Sequence, residues 1–321
     1  MLASEIVQRV REIQVRTGRH VADVLAGEYV SVFRGAGIEF EEVRPYLPGD
    51  DVRTIDWNVT ARAGAPHVKR YVEERQLTLM LMADVSASQD YGSGARSKRE
   101  AAAELCALLA FSATYNDDKV GLVLFDSAVR KYVPPRKGTR HALRVIREVL
   151  ATDVPAAAPR ETATGQHSWW RRWLRRRRAI PSNARGTDID SALRFFASVN
   201  KRRTVCFVVS DFLDTDYERT LSMVNRRHDV VAVLLTDPAE LAVPATGLVN
   251  LRDAETGSTT LVDTTSAAFR NHIAATAAAR VANLKERLGR RGIDLIHIDA
   301  AGSIVDPVVR FFRMRERRNR R

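Results

Sequence analysis

Cysteine is scarce in this 321-residue chain: Cys106 lies within a helical apolar pattern and Cys206 within an apolar strand pattern. Both read as small buried reduced side chains rather than a disulfide or a metal pair. Long apolar runs are absent, so no stretch has the length of a membrane span. The N-terminal stretch MLASEIVQRVREIQVRTGRH carries charges throughout and reads as an amphipathic helix, not a secretory signal, so the cytoplasm is the expected compartment. The chain also lacks a Gly-x-x-x-x-Gly-Lys-Ser/Thr loop for a nucleotide and a Gly-x-Ser-x-Gly elbow. Its seven histidines have no zinc-ligand spacing.

Net charge is unevenly spread. Of the formal +12, Trp169–Arg178 contributes +6 and Arg310–Arg321 another +6, which leaves the rest near neutral. A neutral body argues against a nucleic-acid-binding fold with one basic face, and no specific nucleic acid is expected as a partner.

What is present is organised around Leu77–Asp90, LTLMLMADVSASQD. A short apolar run, broken only by Thr78, has the signature of a strand buried on both faces of a parallel sheet. Asp84 ends that run at the carboxyl edge, where open α/β sheets bind ligands. Asp84, Ser86 and Ser88 offer one carboxylate and two hydroxyls, hard oxygen donors that suit Mg²⁺ better than zinc or copper. Taken alone, the motif is more often a turn than a metal site.

The rest of the chain alternates. After a helix near residues 3–16, YVSVF and IEFEEVRPY read as strands, and the charged stretch from Leu47 to Arg62 reads as an ordered loop. That loop is either a partner surface or a set of internal salt bridges (Asp50, Asp51, Arg53, Asp56) under a buried Trp57. Helices are expected at Ser97–Asn116, His141–Leu150, Asp190–Asn200, Asp216–Arg227 and Ser266–Arg290. Strands are expected at Val120–Phe125, Thr204–Ser210, Val230–Leu235, near Gly247–Leu251 and Thr259–Val262, and at Ile293–Ile298. VRKYVPP extends into a turn, and a basic helix begins near Val305. Strands alternating with helices imply an α/β, doubly wound, mainly parallel sheet preceded by a β-rich N-terminal segment. The expected domains are residues 1–76, residues 77–300 with an inserted loop at about 152–186, and a basic C-terminal helix or tail at 301–321.

Two further loops offer oxygen donors: Gly186-Thr187-Asp188 before a helix, and Ser210-Asp211-Phe212 after a buried strand. Asp-x-Ser-x-Ser, Gly-Thr before a helix and Asp after a later strand resemble a von Willebrand factor A domain with its metal-ion-dependent adhesion site. The stretches FRGAGIEFEEVRPYLPGDDVRTIDWNVTAR, PPRKGTRHALRVIREVL and SDFLD resemble the bacterial family called domain of unknown function fifty-eight. The resemblance covers roughly Phe33 to Leu235, apart from the insert. It implies a cytoplasmic protein working beside a MoxR-type AAA+ ATPase. It also implies a Mg²⁺ or Mn²⁺ site built from Asp84, Ser86, Ser88, Thr187 and Asp211, with an acidic residue of a partner taking the open position. Gln89-Asp90 departs from the family pattern, where small or apolar residues are usual, and Asp90 adds charge near the ion. Asp188 and Asp190 read as caps of the following helix.

The function expected from these observations is a non-enzymatic, metal-dependent protein–protein interaction module. Two other classes compete. One is a metal-dependent phosphate-ester hydrolase using Asp84, which lacks an evident second carboxylate at Ser86 and an evident lysine. The other is a membrane-surface or nucleic-acid binder working through Trp169–Arg178, which would put the protein at the inner membrane face. Tryptophan among arginines suits anionic lipid or an acidic partner; a solvated basic loop is the plainer reading of that insert, and of the arginine-rich tail.

Overall fold

The computed structural model describes residues 37–74, 77–151, 186–252 and 259–319. The expected N-terminal helix, the strand YVSVF and nearly all of the insert, including Trp169–Arg178, lie outside them. The chain divides into two compact units, residues 33–77 and the remainder.

The smaller unit pairs β1 (Gly37–Pro45) antiparallel with β2 (His67–Glu74). The stretch between them is not a loop throughout. Asp56 accepts the N–H groups of Asn58 and Val59, which starts helix α1 (Trp57–Ala63), and Gly64 ends it in the left-handed conformation at φ 72°. Arg44 grips Asp50 with two hydrogen bonds of 2.8 and 2.7 Å, and Lys69 pairs with Asp56 at 3.3 Å. Of the four residues expected to form salt bridges, Asp50 and Asp56 do so, with Arg44 and Lys69 as partners, whereas Asp51 accepts the backbone N–H of Arg53 at 2.9 Å. Trp57 is not beneath them, being 70% exposed.

The larger unit is built on a six-stranded sheet whose strands lie side by side in the order Asp294–Asp299, Asp229–Thr236, Val205–Ser210, Thr78–Asp84, Lys119–Phe125 and Val129–Arg136. In chain order its elements are β3 (Thr78–Asp84), α2 (Lys98–Tyr115), β4 (Lys119–Phe125), β5 (Val129–Arg136) and α3 (Thr139–Leu150). Then come α4 (Ile189–Val199), β6 (Val205–Ser210), α5 (Glu218–Asn225), β7 (Asp229–Thr236) and the single turn α6 (Pro238–Leu241). A separate hairpin of β8 (Leu248–Arg252) and β9 (Thr259–Asp263) precedes α7 (Ala267–Gly289), β10 (Asp294–Asp299) and α8 (Val305–Asn319). All pairings in the large sheet are parallel except β4 with β5. The segment expected to run into a turn is β5; Pro134 and Pro135 are accommodated because, among the described residues, it is an edge strand with no neighbour beyond it.

Leu79 to Ala83 are completely buried, as a central strand covered on both faces requires. On one side Met80, Met82, Val123 and Phe125 meet Phe195 and Phe196 of α4, and Tyr217 and Leu221 at and within the start of α5. Helix α2 starts with a capping box between Ser97 and Glu100, and it is buried nearly all round, from Ala101 and Ala102 to Leu109 and Ala113. Cys106 and Cys206 are unpaired and buried, and burial pushes the Cys106 thiol up to about 12 and raises that of Cys206 as well.

The C-terminal helix is not a solvated tail. Val308, Phe311 and Phe312 are buried, and Phe311 meets Phe207 of β6 edge-on at 6.5 Å. Arg315 forms a bidentate pair with Asp229 at 3.0 and 2.7 Å and also reaches Asp294 at 2.7 Å. Arg318 adds bonds of 2.9 and 2.8 Å to Asp294. These two acids begin β7 and β10, so α8 ties both strand starts together. No described helix is long and apolar enough to cross a membrane.

Candidate functional site

Sheet order dictates where a site can form. The chain runs from β3 outward to β4 and β5, then returns to β6 on the other side of β3. The crevice at the carboxyl ends of β3 and β6 is thus a topological switch point, the usual ligand position in open α/β sheets. Asp84 closes β3, Asp211 directly follows β6, and Thr187 stands two residues before α4.

The structure brings all five expected residues together. Asp84 accepts the Ser86 N–H at 2.9 Å through Oδ1 and the Thr187 hydroxyl at 3.5 Å through Oδ2. The hydroxyls of Ser86 and Ser88 lie 3.1 Å apart, and Ser88 donates to Oδ2 of Asp211 at 2.9 Å. Asp84, Ser86 and Asp211 are buried, whereas Ser88 and Thr187 are partly open to solvent. Burial, and next the negative charge of Asp211, push the Asp84 carboxyl up to about 6, against the pull of bonds from Ser86 and Ser210.

Three participants were not assigned to the site from the sequence: Ser210, Lys98 and Glu240. Ser210, the last residue of β6, donates to Oδ2 of Asp84 at 2.7 Å and accepts the Phe212 N–H at 3.1 Å. A hydroxyl ending a buried strand beside Asp211 was the available signal. Lys98, wholly buried in the first turn of α2, reaches Oδ2 of Asp211 at 3.1 Å and Oε1 of Glu240 at 2.6 Å. Burial pulls its ammonium down, but Asp211 and Glu240 outweigh this and raise it above the ordinary lysine value.

Several neighbours hold the loops rather than joining them. Asp188 caps α4 by accepting the Ser191 N–H at 2.7 Å. Asp190 instead pairs with Arg194 at 2.6 Å. Asp214 accepts the Ile189 N–H at 2.8 Å, which ties the Asp211 loop to the start of α4. Phe212, at φ 51°, occupies the left-handed region that a bulky residue rarely adopts, and its ring packs 5.7 Å from Tyr217. The charge of Asp90 is met by Arg99 at 2.6 Å.

No group of three or more His, Cys, Asp or Glu among the described residues could hold a metal. The donor set here is different: two carboxylates and three hydroxyls, all oxygen. It fits a hard divalent cation such as Mg²⁺ or Mn²⁺ and offers nothing to a soft one. Asp84, Ser86, Ser88, Thr187 and Asp211 are the residues that would hold it.

The class this fold defines is a mixed α/β protein with a mainly parallel central sheet. The sequence model described as "Protein of unknown function DUF58" matches residues 42–283, and the chain belongs to this family. Uncharacterized proteins of Mycobacterium bovis and Mycobacterium tuberculosis are each 29% identical over 98% of this chain and 90% of their own length. Among solved structures, BatB from Bacteroides thetaiotaomicron aligns with a TM-score of 0.44 and 14% identity, covering 75% of this chain and 99% of that one. An aerotolerance-related membrane protein from Bacteroides fragilis aligns with a TM-score of 0.41 and 13% identity over the same shares of the two chains.

Proposed function

We propose that the protein is a non-enzymatic, Mg²⁺- or Mn²⁺-dependent protein–protein interaction module of the von Willebrand factor A type. The observation that carries this reading is the convergence of Asp84, Ser86, Ser88, Thr187 and Asp211 into one linked oxygen cluster at the switch point. Support comes also from the strand order, with its single antiparallel edge strand. A bound ion would supply residual positive charge and an open position for a carboxylate, because three of its ligands are neutral hydroxyls.

The rim favours a protein partner. Leu213 and Tyr91, in the loops that carry Asp211 and Ser88, are 52% and 44% exposed. An acidic side chain flanked by apolar residues complements such a surface. On the smaller unit, Leu47, Val52 and Trp57 are also exposed large apolar groups, which supports a second contact area. By family resemblance the partner is a MoxR-type AAA+ ATPase and the setting is cytoplasmic.

A second reading, phosphate-ester hydrolysis at Asp84, gains one observation: Lys98 is the lysine that the sequence did not reveal. Its ammonium is wholly buried between two carboxylates, a poor position from which to meet a phosphate.

Thermal melts in Mg²⁺, Mn²⁺ and EDTA, on the native chain and on Asp84→Ala, test the proposal. A ligand at 100 times its dissociation constant adds about 2.7 kcal/mol to the folded state. That corresponds to roughly 5 °C or more for a unit of this size. The expected result is such a shift in the native chain and none in Asp84→Ala. No shift at millimolar metal sinks the metal reading, and phosphate-ester turnover abolished by Asp84→Ala would transfer the assignment to the hydrolase.

A further inference from the structure

The site already contains a cation of its own. Lys98 occupies the first turn of α2, where the positive end of the helix dipole makes an ammonium unfavourable. Its side chain is wholly excluded from solvent, and a buried charge is tolerated only when it is paired. The pairing is specific. Oδ2 of Asp211 accepts both the Lys98 ammonium at 3.1 Å and the Ser88 hydroxyl at 2.9 Å. Glu240 takes the ammonium at 2.6 Å from the other side, while its second oxygen accepts the Asp237 N–H at 3.2 Å.

We propose that Lys98 is a built-in competitor of the divalent ion, and that Glu240 is the counterweight which lets Asp211 turn to the metal. The inference rests on the metal-site reading above and concerns what sets the strength of binding. Without an ion, the ammonium neutralises Asp211, so the oxygen cluster keeps its arrangement instead of holding two unopposed buried carboxylates. With an ion, Asp211 has two cations to serve. The shorter Glu240 contact keeps the ammonium in place as Asp211 yields. The two residues therefore act on ion affinity in opposite directions: Lys98 weakens it and Glu240 strengthens it. A role confined to supporting the fold would not produce opposite signs. Neither residue touches the ion in this account; both are positioning residues.

Calorimetric titration of the full chain with MgCl₂ and MnCl₂, alongside melts in EDTA, tests the inference on Lys98→Met and Glu240→Gln. Glutamine at 240 keeps an oxygen for the Asp237 N–H. Lys98→Met is expected to bind Mg²⁺ about tenfold more tightly or better, as removal of a nearby like charge in a poorly solvated site requires. Its melting point should fall in EDTA and recover in Mg²⁺. Glu240→Gln should bind several-fold more weakly, because the ammonium then has Asp211 alone. Native binding with both variants unchanged within about twofold, roughly 0.4 kcal/mol, overturns the inference and leaves the metal reading standing. Binding by Lys98→Met but not by the native chain supports the inference and removes the metal reading from the native protein. No binding by any of the three overturns both. Should Lys98→Met not fold, Glu240→Gln decides: weaker binding supports the inference, and equal or tighter binding overturns it.

Discussion

Ser210 donates its hydroxyl hydrogen to Oδ2 of Asp84 across 2.7 Å, between the carboxyl ends of neighbouring strands. The bond matters because Asp84 is buried, and burial is the main reason its carboxyl is pushed up to about 6. Ser210 opposes that push. Ser210→Ala is therefore expected to raise the Asp84 value further and to cost about 1–3 kcal/mol at a pH where the carboxylate is charged. The sign follows from linkage: the bond favours the charged form, so its contribution exists above the folded value and shrinks as Asp84 takes up a proton. Denaturation of both proteins in EDTA at pH 8 and pH 5 checks this, with the larger penalty at pH 8. Equal penalties at the two pH values would refute a role tied to the carboxylate's charge.

The sheet was legible in the sequence because buried parallel strands write themselves as unbroken apolar runs; Leu79–Ala83 and Val205–Val209 are examples. The three oxygen-bearing loops were legible because each stands at a strand end or helix start, and the choice of Asp84, Ser86, Ser88, Thr187 and Asp211 within them came from the family resemblance. Lys98 was not legible, since a lysine in the first turn of a helix ordinarily faces solvent. Only the fold brings it to Asp211 and Glu240, 113 and 142 positions further along the chain. Helix α8 misled for a related reason: its run of arginines hides the apolar spacing of Val308, Phe311 and Phe312, and Arg315 and Arg318 are spent on Asp229 and Asp294. The Pro134-Pro135 pair disguised an edge strand as a turn.

Gln89 is the sequence departure with a direct energetic consequence. It is completely buried in the short 3-10 turn that follows Ser86, and among the described residues neither its amide nitrogen nor its amide oxygen has a hydrogen-bond partner. An orphaned buried polar group costs about 1–3 kcal/mol, and an apolar residue of similar length relieves that cost. Gln89→Met should accordingly raise the melting point by roughly 2–6 °C in EDTA. A lower melting point for Gln89→Met would show that the amide is satisfied and useful where it lies.

His228 supplies a pH-dependent term away from the site. The residue is 2% exposed, both ring nitrogens lack partners among the described residues, and the ring meets Phe196 at 4.8 Å between centroids, tilted by 62°. Burial, and then Arg227, lower its value from the ordinary 6.5. The unfolded chain thus binds a proton that the folded chain refuses in the window below 6.5, and stability falls as the pH drops through that window. Above it, both states are neutral and the residue adds no slope. His141 and His297 are lowered as well, so the native curve contains more than one such contribution. The difference between proteins isolates this one. His228→Phe should differ from the native chain by a constant amount above about pH 7, then gain on it steadily toward about pH 5. Parallel stability curves across that range would mean that His228 is protonated equally in the folded and unfolded states.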